Sequence, residues 1–319
     1  MNFFQDTTLQ PSSIKILNLK LNEWISFFPK SQQSILNILM FPENANKILL
    51  ENVTNRSNTN LHNFYTAINA VINHSYEFTS QLSHKQLAEL KKEWCKIRSD
   101  NQKPIVQRRL ELLPTENQLQ KGGTYLKYDD ILKKRDSLPS GSIEKLLISF
   151  YTYIPPVRAD YYATEIITLK QKPTQPNYIR RISPTHSVMT LTDFKTKNRY
   201  TEITNVLPQE LNDELVKSLE KSPRKYIFTN QTGQPFTRNA FTVWSKRILS
   251  RVFETEMTLI IIRHLFISSL DFSMKPLELK KISDKMGHDL STQRNYKWDV
   301  SQLNTGEGEG EAEDEEEED

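Results

Sequence analysis

Across the first hundred residues the apolar positions recur at spacings of three and four and nowhere alternate, which is the signature of helices. In residues 14–40, IKILNLKLNEWISFFPKSQQSILNILM, the spacing is interrupted at Pro29 and predicts two short helices. Residues 60–76 give another, with Leu61, Phe64, Tyr65, Ile68, Val71 and Ile72 on one side. A longer, more polar helix is expected over 83–98. Residues 1–110 thus form an all-helical domain. Pro114 and the pair Gly122 and Gly123 then break the pattern, so 111–124 reads as a linker.

A second domain is expected over 125–306. It opens with YLKYDDILKKRDSL, followed by SIEKLLISFYTYI, an apolar helix that cannot pass Pro155 and Pro156. Arg158 falls in the first turn of the helix expected next, where free N–H groups and the positive end of the dipole favour a phosphate. Two β-prone runs, HSVMTLTDF and RYTEITNVL, flank KTKN and predict a hairpin turning at 195–198. After Pro208 come an amphipathic helix, LNDELVKSLEK, a strand beginning YIF, a turn at 233–235, and a helix from near Thr237 with Arg238, Lys246 and Arg247 outward. The fold class is therefore mainly α with a small antiparallel β-sheet, a helical domain followed by an α+β domain.

Residues 259–298 close this domain. Ile262, Leu265, Phe266 and Leu270 recur at helical spacing, which puts Arg263 on or beside a buried helical face. Pro276 suits a first helical position, and Leu279, Ile282 and Met286 form an apolar stripe while Glu278, Lys280, Lys281, Asp284 and Lys285 face water. Gly287 is the expected stop, so His288 projects just past the helix. Ser291 or Thr292 is the expected cap of a last short helix carrying Tyr296.

Composition narrows the function. The single cysteine, Cys95, permits no internal disulfide, and the six histidines show no metal-ligand spacing, so no metal and no cofactor is expected. No apolar run approaches the ~18 residues of a membrane span. The N-terminus lacks a signal-peptide pattern, which points to a globular intracellular protein with no membrane association. The tail from Glu307 carries ten acids and no base, so the overall charge of +3 becomes +13 for residues 1–306. A basic body favours a polyanion, and Lys85, Lys91, Lys92, Lys96, Arg98, Lys103, Arg108 and Arg109 could form a DNA-facing ridge, although such a run equally suits a solvated face. The tail at 307–319 is low-complexity acid, expected to be disordered and to compete with DNA for the basic surface.

The ordered set IRHLFISSL, KMGHDLSTQRNY and, far upstream, PPVRADYY resembles the signature of tyrosine recombinases and integrases: an arginine box, an Arg-His helix, a Gly-His turn and a tyrosine a few residues on. The Pro-Pro, Arg, Asp-Tyr form is similar to that of recombinases from large DNA viruses and their satellite elements. The resemblance covers roughly 125–298 and more weakly the helical domain. It implies a core-binding domain over 1–110, a catalytic domain over 125–306, and a DNA-facing role for Lys92, Lys96, Arg98, Arg238, Lys246 and Arg247.

For the chemistry the resemblance implies Tyr296 as nucleophile forming a 3′-phosphotyrosyl intermediate and Arg158 and Arg263 as clamps on the nonbridging oxygens. Lys195, with Lys197 as rival, would be the general acid, and His288 a donor to the phosphate. The partners implied are double-stranded DNA and three further copies, as a homotetramer on paired sites, in the host nucleus or a viral replication compartment. Two positions depart from the family. An acid three residues after the first arginine is replaced by Tyr161, with Asp160 one residue earlier, so the group that orients Arg158 stays open. The histidine usual three residues before the second arginine is Ile260, and His264, about 100° around the helix from Arg263, reads as a packed core residue. A type IB topoisomerase and a DNA-binding protein that has lost its chemistry are the competing readings.

Overall fold

The computed structural model describes Phe3, Phe4, Leu9 and residues 11–54 and 58–300; the acidic tail lies outside them. The chain divides into two compact units, Met1–Leu110 and Glu111–Asp319.

The first unit is helical: α1 Pro11–Ile25, α2 Ile35–Leu39, α3 Pro42–Asn52, α4 Asn58–His74, α5 Tyr76–Thr79 and α6 His84–Leu110. Its centre is aromatic. Trp24 and Trp94 are fully buried and meet edge to face at 5.7 Å, and the Trp94 indole N–H donates to the carbonyl of Leu39 at 3.1 Å. Burial on this scale contributes roughly 2–3 kcal/mol per large side chain. The longest helix differs from expectation. α6 runs on through Pro104 to Leu110, and of its 27 residues only Leu90 and Trp94 are buried, so it presents a long polar surface.

The second unit contains α7 Glu116–Leu119, α8 Tyr128–Ser137, α9 Ile143–Phe150, β1 Glu165–Thr168, β2 Asn177–Ser183, β3 His186–Leu191, β4 Ile203–Val206, α10 Gln209–Lys221, α11 Arg238–Phe253, α12 Leu259–Ser268, α13 Pro276–Lys285 and α14 Leu290–Arg294. The fold is thus mainly α with one small sheet, ordered β1-β2-β3-β4. β2–β3 and β3–β4 are antiparallel, the second being the expected hairpin, whereas β1 runs parallel to β2 and makes the sheet mixed. The buried Glu165 carboxylate accepts from the backbone of Thr174 at 2.6 Å and Gln175 at 3.1 Å, which folds the short connection back for parallel pairing. Tyr226, expected in a strand, makes only an isolated bridge to Glu165.

Residues 111–124, expected as a linker, pack into this unit instead. Gly123 donates to the carbonyl of Glu256 at 3.3 Å, and a Cβ there would lie 2.8 Å from that oxygen. Lys121 pairs with Glu256 at 2.9 Å. Gly123 therefore allows a close approach of backbones, and Gly122 leaves room for the Thr255 side chain. Among the described residues no helix is long and apolar enough to cross a membrane.

Candidate active site

Four side chains singled out in the sequence meet in one place. Arg263 comes from α12, whose N-cap Thr258 accepts from the backbone of Ile261 at 3.3 Å. Its guanidinium is completely buried, with Nη1 donating to the carbonyl of Pro156 and Nη2 donating to His288 Nδ1 at 3.2 Å. Arg158 lies opposite on the segment before β1, its Nη2 donating to the Tyr296 hydroxyl at 3.5 Å. The Tyr296 ring lies 5.2 Å from Arg263 Cζ and stacks on the His288 ring at 5.5 Å. A tyrosine hydroxyl thus sits beside two guanidiniums and one imidazole, brought from positions far apart in the chain.

The local grammar explains each placement. α13 ends in a Schellman turn: His288 N–H donates to Ser283 at 3.1 Å and Gly287 N–H to Asp284 at 3.0 Å, with Gly287 left-handed at φ 68°. That turn buries His288, 3% exposed, against Arg263. The cap of α14 is Asp289, not Ser291 or Thr292. Its carboxylate accepts from Thr292 N–H at 2.7 Å and from the Ser291 hydroxyl at 2.8 Å. These bonds, with the Arg199 guanidinium, hold its pKa well below the carboxylate range. α14 stops at Arg294, so Tyr296 sits in the following turn, its N–H donating to Gln293 at 3.0 Å, rather than on a helix.

Arg158 also differs from expectation. No helix follows Pro156; residues 158–163 form bends and turns leading towards β1. Its backbone is satisfied locally, because Asp160 Oδ2 accepts its N–H at 3.1 Å and the Tyr151 hydroxyl donates to its carbonyl at 2.6 Å. Asp160 therefore orients Arg158 through the main chain. Tyr161 is a core residue, its ring packed against Phe150 and Tyr151.

Electrostatics follow from burial. Desolvation, with the positive charges of Arg263 and Arg158, pulls the His288 pKa down to about 3, so the imidazole is neutral. Guanidinium only donates, so Nδ1 is the acceptor and the ring proton sits on Nε2. Burial alone would raise the Tyr296 phenol, but Arg263 and Arg158 outweigh it and the hydroxyl titrates below an ordinary tyrosine. Two buried donors, Arg263 Nε and His288 Nε2, have no acceptor among the described residues. An unmet buried donor costs about 1–3 kcal/mol, and an anion oxygen would relieve that cost.

Lys195 is exposed in the loop between β3 and β4, and no hydrogen bond or ion pair joins it to the four other residues among those described. Its loop is nonetheless fastened to the His288 turn, since Thr196 donates to the Gly287 carbonyl at 2.6 Å and Arg199 pairs with Asp289 at 2.6 Å. The rival Lys197 is paired with Asp193 at 2.9 Å.

His264 is a packed residue, as the sequence suggested. It stacks on Trp298 at 3.8 Å, its Nδ1–H donates to the main-chain carbonyl of Tyr296 at 2.7 Å, and burial draws its pKa down to about 4. Gln118, from the supposed linker, donates to its other nitrogen at 3.3 Å. Sequence gave no signal for Gln118, Thr196 or Arg199, because each acts through a partner more than eighty residues away. Ile260, one turn before Arg263, is 39% exposed.

The basic positions divide. Lys92 and Lys96 are exposed on α6, and Arg98 is half-buried there with its Nε unpartnered among the described residues. On α11, Arg247 is exposed and Lys246 is paired with Glu256 at 2.7 Å. Arg238, expected outward, is turned instead onto the buried Asp160, with Asp193 at 3.7 Å, because a buried carboxylate needs a counter-charge.

No family model matches the sequence, and no curated protein matches it. Among solved structures, the crystal structure of XerA recombinase aligns with 13% identity and a TM-score of 0.41, covering 93% of this chain and 91% of that one. The XerH site-specific recombinase bound to difH substrate in a pre-cleavage complex aligns with 15% identity and a TM-score of 0.38, covering 95% and 98%. XerH in a post-cleavage complex with palindromic difH gives 14%, 0.38, and coverage of 93% and 95%.

Proposed function

We propose that the protein is a DNA strand transferase of the tyrosine recombinase type, which cleaves and rejoins double-stranded DNA without a metal or cofactor. The observation that carries this reading is the Tyr296 hydroxyl 3.5 Å from Arg158 Nη2, its ring against Arg263 and neutral His288, with two buried donors unpaired among the described residues. A phosphodiester supplies the anionic oxygens this arrangement lacks. Arg158 and Arg263 take the nonbridging oxygens, where planar guanidiniums bind in a defined geometry, and His288 Nε2–H donates a third bond. Tyr296 oxygen bonds to phosphorus and releases its proton to solvent; the bond from phosphorus to the 5′ oxygen breaks, and that oxygen takes a proton from Lys195. The 3′-phosphotyrosyl linkage conserves the phosphodiester bond for rejoining. Lys195, exposed and without an ion pair among the described residues, suits the acid role better than Lys197, which Asp193 occupies.

The deciding experiment is a suicide substrate whose cleaved 5′ fragment diffuses away. The intact chain forms a covalent adduct with it and Tyr296→Phe does not, while both bind DNA. Binding without any adduct would leave a DNA-binding protein that has lost its chemistry, the reading favoured by Ile260 in place of a polar group. Paired-site recombination by a homotetramer, against supercoil relaxation by a monomer, separates a recombinase or integrase from a type IB topoisomerase. If the acidic tail competes with DNA, removing 307–319 raises affinity at low and moderate salt.

A further inference from the structure

The loops bearing Arg158 and Lys195 are joined twice, at matching points. Asp160 lies two residues after Arg158, and Asp193 two residues before Lys195. Between them stands Asn177, the first residue of β2 and 2% exposed. Its Nδ2 donates to the main-chain carbonyls of Asp160 and Asp193, both at 2.9 Å. Its Oδ1 accepts from the N–H of Thr192 at 2.9 Å and of Asp193 at 2.8 Å. Both donors and both lone pairs are used, so the carboxamide is saturated.

Arg238 bridges the same two residues through their carboxylates, bonding Asp160 Oδ1 and lying 3.7 Å from Asp193 Oδ2. Asp160 Oδ2 in turn holds the N–H of Arg158 at 3.1 Å. Tyr162 completes the cluster, donating to Asp193 at 2.7 Å with its ring 5.0 Å from the Arg238 guanidinium. The sheet alone does not fix this loop. β3 ends at Leu191, and the next two N–H groups, those of Thr192 and Asp193, are the ones that Asn177 captures.

We propose that Asn177 and Arg238 are positioning residues that set the spacing between Arg158 and Lys195, one through main chain and the other through carboxylates. This rests on the strand-transfer reading above. A displacement near 1 Å at a reacting centre costs on the order of 10²-fold in rate. The charge of Arg238 is accordingly spent inside the protein, between two aspartates.

The test compares two suicide substrates, one with the natural 5′ oxygen at the scissile bond and one with a bridging sulfur there. The sulfur leaves as a thiolate and needs no proton, so it requires Arg158 but not Lys195. Single-turnover adduct formation is measured for the intact chain, Lys195→Ala, Asn177→Ala, Arg238→Met and Arg238→Lys, together with DNA affinity and Tm. Asn177→Ala and Arg238→Met are expected to lose about 10²-fold on the oxygen substrate, with a loss at least tenfold smaller on sulfur and DNA affinity within about threefold. Arg238→Lys, which retains the charge, is expected to recover part of the rate.

Unchanged rates, equal losses on both substrates, or losses that follow Tm across the variants would overturn the positioning role. If Asn177→Ala does not fold, the half-exposed Arg238 pair decides alone. If Lys195→Ala shows the sulfur rescue and these variants do not, the clasp fails and strand transfer stands. No adduct from the intact chain on either substrate overturns both.

Discussion

Arg263 Nη2 donates to His288 Nδ1 at 3.2 Å, a bond that locks the imidazole as the neutral tautomer with its proton on Nε2. Both partners are buried, and the contact ties the middle of α12 to the turn after α13. His264, the next residue on α12, is also held neutral by burial.

These two imidazoles make stability pH-dependent in a defined direction. The unfolded chain protonates each near 6.5, whereas the folded values are about 3 for His288 and about 4 for His264. A depressed folded value means the stabilisation is present above 6.5 and lost as pH falls towards the folded values. Each neutral imidazole contributes a slope of about 1.4 kcal/mol per pH unit in that window. Urea unfolding at pH 7, 6 and 5 reads this slope, and His264→Asn should lessen it. A curve flat from 7 to 5 contradicts the buried, neutral histidines.

Tyr296 should ionise before Tyr65, Tyr128, Tyr151 and Tyr161. Arg263 and Arg158 outweigh its desolvation, whereas burial raises Tyr65 to about 12, pushes Tyr128 and Tyr161 higher still, and holds Tyr151 well above the ordinary value. A spectroscopic phenolate titration should show an early transition that vanishes in Tyr296→Phe. Its persistence in that variant would assign it elsewhere.

Gly287→Ala tests the turn that aims His288. A Cβ there would crowd Ile203 Cδ1 at 3.3 Å, closer than ordinary contact, and φ of 68° is strained for alanine. The cost should be about 1 kcal/mol, a Tm drop of a few degrees, while adduct formation falls by more than that energy implies because His288 moves. A variant that loses stability alone would uncouple the turn from the chemistry.

Ile260→His places a proton-transferring group one turn before Arg263, at a position 39% exposed, so stability should change by less than about 0.5 kcal/mol. Adduct formation should accelerate. An unchanged rate means another group already carries that proton.

Much of this was legible along the chain because it depends on near neighbours. The helical first unit, the hairpin of β3 and β4, the start of α11 near Thr237 and Gly287 as the stop of α13 follow from periodicity and element-end signals, which act within four or five residues. β2 was not legible, since its alternation is blurred by Arg180 and Arg181 and it is bounded by prolines on both sides. The α6 extension was hidden by Pro104, and the expected helix after Pro156 is absent because Tyr151 and Asp160 satisfy the backbone of Arg158.

By itself the sequence determined which residue types and which element ends are available to a site: Arg263 on an apolar helix, His288 past a glycine stop, and Tyr296 shortly after. Tertiary structure alone decided how they meet. It buried Arg263 completely, turned Arg238 inward onto Asp160, drew 111–124 into the second unit, and made Asn177 the link between two distant loops. Each of those outcomes depends on a hydrogen bond or ion pair whose partner is far away in sequence, and local pattern carries no information about that partner until the chain has closed on itself.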